Sequence, residues 1–286
     1  MKNSATSHTA IFLRVRMVIL FMLPIMLWSS CEKETEWDLD NIPPTAIVVD
    51  ALLTNEFKIQ QLTLHYPVAN MNDTPLPVSN AQVMVSWPNR TIAFTESATD
   101  PGVYVSNQPF TVGINRTYHL TIRKDTSELT AQSYMIPVLP FEAPSFHYNK
   151  KNGLYSLNWN NGQYSFREQA MYEATIHWDH LPGYNHPDSL SKARVLFFTF
   201  TTIDVGYNIF PQNYETVWFP EGSIVYIAKY SLNPEHGAYM RGLLSETQWQ
   251  GSIFETTRAN LTSNIANGLG YFATSAVIRD TIIVGK

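Results

Sequence analysis

The chain has 286 residues, 44% hydrophobic, 13% aromatic and 15% charged, with one Cys and a formal net charge of −5. That composition is too apolar for a disordered chain, and the length supports one large core or two ordinary ones. The acidic balance argues against nucleic acid as a partner, because neutralising phosphates takes a basic patch. A single Cys closes no intrachain disulfide and builds no thiolate zinc site.

Residues 1–30 read as a secretory signal peptide. Lys2, Arg14 and Arg16 supply a positive start, and Met17 to Trp28 form an apolar run broken only by Pro24. A helix of that length covers about 18 Å, short of a bilayer's hydrocarbon core of roughly 30 Å, so the run suits a signal rather than a permanent span. Leu27-Trp28-Ser29-Ser30-Cys31 follows at once. It resembles a bacterial lipobox, with Trp28 where Leu is usual, and predicts lipid attachment at the Cys31 thiol. Several acyl chains at about 0.8 kcal/mol per buried CH₂ anchor a protein stably where one does not. Outer-membrane lipid is thus an expected partner.

Residues 31–43 form a tether with Glu32, Lys33, Glu34, Glu36 and Asp38. It resembles the surface-export signals of Bacteroidota lipoproteins, and a solvated flexible linker explains it equally well. Without residues 1–30 the chain keeps 16 basic and 24 acidic side chains, a net charge of −8.

From residue 44 to 138 the sequence alternates with a period of two. Leu62, Leu64 and Tyr66 share one face of a segment, as do Val83, Val85 and Trp87, and Tyr118, Leu120 and Ile122. Half-buried antiparallel strands produce this pattern. Turn clusters at 70–73, 88–89, 100–102 and 113–115 separate them, which predicts a β-sandwich domain of about seven strands. Pro137, Pro140 and Pro144 then mark a connection between domains.

Residues 139–286 read as a second, larger and aromatic-rich β domain; 25 of the 37 Phe, Trp and Tyr residues lie beyond residue 140. Strand-like segments run over 154–159, 172–178, 195–201, 224–230 and 271–278. Asn233-Pro234-Glu235 forms an N-cap, a Pro at the first helical position and an acid in the first turn, predicting a short helix over 234–247. The fold class expected is all-β with that one helix.

Chemistry-bearing patterns are sparse. His177, Asp179, His180, His186 and Asp188 form the sharpest metal candidate, but no ligand-spacing signature is met, and strand alternation sends His177 and His180 to opposite faces unless Pro182-Gly183 turns the chain first. No Gly-x-Ser-x-Gly elbow and no phosphate-binding Gly loop occurs. No catalytic residue, metal site or cofactor is therefore assigned. Most aromatic residues of the second domain suit a core. Tyr207, Phe210, Trp218 and Phe219 fall in expected loops and are candidate exposed contacts for a sugar or a partner protein. Asn-x-Ser/Thr triplets at Asn72, Asn89, Asn115 and Asn260 read as chance matches, and Asp188-Ser189-Leu190 and Asp280-Thr281-Ile282 resemble Bacteroidota O-glycosylation motifs.

The C-terminal stretch from Ser263 to Ala273 contains Asn264, Asn267, Gly268, Gly270, Tyr271 and Phe272. It resembles the closing signature of a family of Bacteroidota envelope lipoproteins, domain of unknown function 4249. Ala46–Asp50, Val78–Val83, Gly102-Val-Tyr104, Val112-Gly113 and Tyr118-His-Leu120 agree with that family in order. Read as residues, Asn267-Gly268 and Gly270 suit a turn through positive φ before a final strand that carries Tyr271 and Phe272 inward, a structural role before a binding one.

The resemblance implies an N-terminal immunoglobulin-like or carboxypeptidase-regulatory-like sandwich followed by a larger β domain. It also implies an outer-membrane lipoprotein, periplasmic or surface-facing, associated with a TonB-dependent receptor, and it supplies no catalytic residues. The leading expectation is a non-enzymatic accessory protein that binds a ligand or a partner. An envelope hydrolase acting on glycan or peptide and a structural or adhesion module are the alternatives.

Overall fold

Alternating burial builds the first seven strands: β1 (Val48–Thr54), β2 (Gln61–His65), β3 (Gln82–Trp87), β4 (Arg90–Glu96), β5 (Val103–Ser106), β6 (Arg116–Lys124) and β7 (Ser127–Met135). The computed structural model describes residues 45–68, 73–140, 144–158, 163–184, 188–202, 216–247 and 261–285. Val83, Val85 and Trp87 point inward from β3, as their spacing predicts, and Val49, Ala51 and Leu53 do so from β1. Burying each large side chain of this kind contributes about 1.5–3 kcal/mol. Trp87 stacks on Phe110 at 5.6 Å between ring centroids and meets Tyr118 at 5.3 Å, so three aromatic rings fill one end of the core.

These strands do not close on themselves alone. An eighth, β14 (Leu269–Ser275), pairs in parallel with β1 from Val48–Leu269 to Thr54–Ser275. The resulting sheet runs β14-β1-β2-β5-β4-β3-β6-β7 without a break. Its two ends approach each other: the Thr130 N–H donates to Ala266 O, the Ala266 N–H donates back at 2.8 Å, and the Thr274 N–H donates to Ser133 Oγ at 2.9 Å. The sheet is therefore rolled into a nearly closed barrel-like layer. Parallel pairing needs a long crossover, and here most of the chain lies between the two partners. Local patterning carries no trace of such a contact.

The second half contributes β8 (Ser145–Asn149), β9 (Leu154–Asn158), β10 (Gln163–Tyr164), β11 (Ala170–His177), β12 (Lys192–Phe200), β13 (Ile224–Ser231) and β15 (Val277–Ile283). One helical turn, α1 (Asp188–Ser191), precedes β12, and a longer helix, α2 (Pro234–Thr247), follows β13. Five strands form a second sheet in the order β10-β12-β11-β13-β15, and β8 pairs with β9 in a hairpin. One face of the second sheet packs Ala174, Ile176, Phe197, Val225 and Ile227 against Phe146 and Tyr155 of the hairpin and against Phe219. The protein is thus mostly β with one helix of any length.

Residues 271–278, which read as one strand, are divided between two. Ala276 sits at the crossing, where the Ser231 N–H donates to Ala276 O and the Ala276 N–H donates to Ser231 Oγ, both at 2.9 Å. Ser231 Oγ–H donates in turn to Ile136 O, and Asn233 Nδ2 to Tyr134 O. The Pro-rich joint is tied down as well. Lys229, only 2% exposed, bonds Leu139 O and the Glu168 carboxylate and lies 5.5 Å from the Tyr172 ring. A buried ammonium is tolerated because it is paired and hydrogen-bonded.

Helix α2 begins as its sequence predicts: the His236 N–H donates to Asn233 Oδ1 at 2.7 Å, an N-cap. Leu244 and Met240 pack on Phe198 and Phe200 of the second sheet and on Leu232 just beyond β13. From the other side of the helix, His236 and Tyr239 stack on Tyr271 at 5.1 and 4.5 Å. The helix is held between the outer surface of the rolled sheet and one end of the second sheet.

Candidate functional site

Two places in the molecule are built with more care than packing alone requires. The first is the segment from Ser263 to Phe272. Asn264 gives its Nδ2 to Phe272 O at 2.8 Å and to Gln132 O at 3.2 Å, while its Oδ1 accepts from the Phe272 N–H. Asn267, at φ 63°, donates to Glu128 O. One segment thereby satisfies backbone groups on β7 and on β14, and joins the two ends of the rolled sheet.

Gly270 has φ 86°, and a Cβ there would lie 2.0 Å from Val49 O. A Cβ at Gly268 would lie 2.4 Å from Leu129 Cδ2, so close approach rather than positive φ excludes a side chain there. Phe272 enters the rolled core and is fully buried. Tyr271 goes the other way, against the expectation that both rings point inward. Adjacent strand residues face opposite sides, and the outer one is covered by α2. The strand is not the last one either, since β15 continues from it. All these signature side chains make backbone or core contacts.

The second place is the half of the second sheet that no other described element covers. Register puts Thr175, Tyr226, Thr281 and Arg194 in one cross-strand row, and Glu173, Ala228 and Arg279 in the next. All of them lie on the face opposite the hairpin. Nearer α2 this face is buried, where Tyr230, Ala228 and Val277 pack on Leu52 of β1. Further out it opens, and Tyr226 is 45% exposed. His177 meets the Tyr226 ring edge-on, 5.3 Å away at 79°.

Charges on this face are matched. Arg194 Nε donates to Glu173 Oε1 at 2.5 Å, and Tyr230 Oη–H donates to Glu173 Oε2 at 2.9 Å. Burial first, then the Glu173 carboxylate, pushes the Tyr230 hydroxyl up to about 12. Arg279 makes two bonds to Glu56, at 2.6 and 3.2 Å, which lower the Glu56 carboxyl to about 2 against the opposing effect of burial. Glu56 belongs to the β1–β2 loop, which the buried Gln60 side chain ties to Thr54, Glu56 and Phe110 backbone atoms. That loop forms one border of the open face and displays Phe57, 74% exposed.

The other sequence candidates are dispersed. Phe219 is not an exposed contact: it is fully buried, edge-on to Phe146 at 6.2 Å, with backbone bonds to Tyr155. Its expected loop is in fact a bridge against β9, which turns the side chain into the core. Trp218 is half-buried beside His147. Cys31, Tyr207, Phe210 and His186 lie outside the described residues, as do Asn72 and Asn260. His177 faces Tyr226, whereas His180 Nε2 bonds Gly222 O, so these two histidines serve different neighbours. Among the described residues no three His, Cys, Asp or Glu side chains converge on a common point, and no helix is long and apolar enough to cross a membrane.

The family model described as Domain of unknown function (DUF4249) matches residues 32–281. The chain belongs to this family. None of the curated proteins matches it. The family match begins one residue after Cys31 and ends inside β15, so it takes in both the joining segment and the open face. Sequence reasoning singled out His177 but missed Tyr226, Arg194 and Arg279 on the same face of the sheet. Those neighbours come from three other strands, and only the pairing register brings them together.

Proposed function

We propose that this protein is a lipid-anchored accessory protein of the cell envelope, held at the outer membrane through acylated Cys31. Its role in this reading is to bind a ligand or a partner of a TonB-dependent uptake system, without catalysing a reaction. The observation that carries the anchoring is the order of features at the N-terminus. A basic start, an apolar run and small residues lead directly to the only Cys, and the family match starts at the very next residue. The link to an uptake receptor rests on the resemblance to envelope lipoproteins. Within the same reading, residues 44–138 are an immunoglobulin-like or carboxypeptidase-regulatory-like module completed by β14.

The open, rigidly backed face around Tyr226 favours binding over chemistry. Its carboxylate and guanidinium groups are engaged with each other, and the one carboxyl held far from its ordinary range is pushed down by an ion pair rather than up toward general-acid use. Fractionation tests the anchor: Cys31→Ser moves the protein from membrane to soluble fractions, and unchanged membrane retention contradicts the reading. Affinity capture through a tagged copy tests the association. Recovery of a TonB-dependent receptor supports it, and recovery of no envelope partner under conditions that preserve known envelope complexes counts against it.

A further inference from the structure

Deepening that binding role, on which the inference rests, we propose that the open face of the second sheet is a platform for a neutral carbohydrate chain, with the Tyr226 ring as its stacking surface. Tyr226 projects from β13, which has a partner strand on each side, so the backbone beneath the ring is fixed by pairing to β11 and β15. The ring is 45% exposed and takes no part in a core cluster. His177 is the aromatic neighbour that stands nearly perpendicular to it, at 79°. A pyranose offers C–H groups on one side, and these carry the partial positive charge that the negative face of an aromatic ring attracts.

The surroundings select for a ligand without charge. The Arg194 charge is paired with Glu173, and that of Arg279 with Glu56. An ionic ligand of either sign therefore meets charges that are already balanced and gains little net attraction. A hydroxyl needs no unmatched charge, because it donates to a carboxylate oxygen and accepts from a guanidinium N–H at the same time. Hydroxyls are also supplied directly: Thr175 and Thr281 stand opposite Tyr226 on the two neighbouring strands. Strands about 4.8 Å apart, with same-face residues about 6.7 Å apart along each, put these groups within reach of one or two sugar rings stacked on Tyr226. A protein partner fits this patch less well, since fully desolvated apolar anchors dominate protein interfaces and this face is mainly polar.

The test is saturation-transfer NMR and calorimetry on the detergent-solubilised mature lipoprotein. The probes are maltohexaose, xylohexaose, cellohexaose and laminarihexaose, with oligogalacturonate as the acidic counterpart. At least one neutral oligosaccharide is expected to bind in preference to oligogalacturonate. Tyr226→Ala should weaken that binding roughly tenfold or more, the loss of one stacked ring, whereas Tyr226→Phe should retain most of it. Thr281→Arg, on an exposed edge-strand position, is a second variant expected to block the platform while leaving the core untouched. Absence of binding by every neutral probe at millimolar concentration overturns the proposal, as does binding that survives both Tyr226→Ala and Thr281→Arg, or a preference for the acidic probe. Those outcomes leave membrane retention through Cys31 and capture of a receptor as separate readouts, so failure here is distinct from failure of the anchored-binder reading.

Discussion

The joining segment at residues 263–272 and the open face around Tyr226 are both rich in polar residues, yet they use them in opposite ways. In the first, Asn264 and Asn267 spend their amides on backbone atoms of β7 and β14, and Gly268 and Gly270 are glycine because a Cβ would overlap a neighbour. In the second, Glu173 pairs with Arg194 and Tyr230, and Arg279 with Glu56, side chain to side chain at the surface. The difference teaches how to separate a structural signature from a recognition surface. Residues whose identity is dictated by backbone geometry close the fold, and residues whose side chains only meet other side chains remain available to a ligand.

Substitutions in the joining segment should therefore act on stability and those on the face should not. Gly270→Ala is expected to have the largest effect. It combines positive φ with a Cβ 2.0 Å from Val49 O, and a loss of about 3 kcal/mol or more is expected by urea denaturation. Asn264→Ala removes three hydrogen bonds and leaves the Phe272 N–H without its acceptor; about 1–3 kcal/mol is expected from the same measurement. A Gly270→Ala protein as stable as the parent would refute the geometric account of the signature.

Acid should expose a second contrast. His236 is buried beside Tyr271, and burial lowers its pKa to about 4. The unfolded chain then binds more protons than the folded one between pH 6.5 and 4, so stability falls as pH drops through that window. His236→Phe should flatten that part of a pH–denaturation curve. The Glu56 carboxyl is lowered to about 2 by Arg279, so its contribution is complete above about pH 4.5 and fades toward pH 2. Because Arg279 is half exposed, that contribution is small, on the order of 1 kcal/mol, and Glu56→Gln should remove it. Tyr226→Ala should change stability least, by about 0.5 kcal/mol or less, as expected for an exposed position.

Local patterns were legible where they depend on neighbours in sequence. Alternation located β3, β6 and β11, and the Asn233-Pro234-Glu235 cap gave the start of α2. The need for Asn267 and Gly270 in special backbone conformations was legible too, because few other residues adopt them. What escaped was long-range pairing. Nothing local says that β14 lies beside β1, that Tyr271 is covered by a helix, or that Phe219 bridges to Tyr155. The open face escaped for the same reason, since Tyr226 reads as one more aromatic residue until the register of four strands surrounds it with Thr175, Arg194 and Thr281.

Tyrosine footprinting of the purified lipoprotein with and without a neutral oligosaccharide that it binds tests the division between closing segment and recognition face most directly. The account predicts that Tyr226 reacts in the free protein and is protected in the complex, while Tyr271 stays unreactive in both. Equal labelling of Tyr226 in the two states, or labelling of Tyr271 that changes between them, would contradict it.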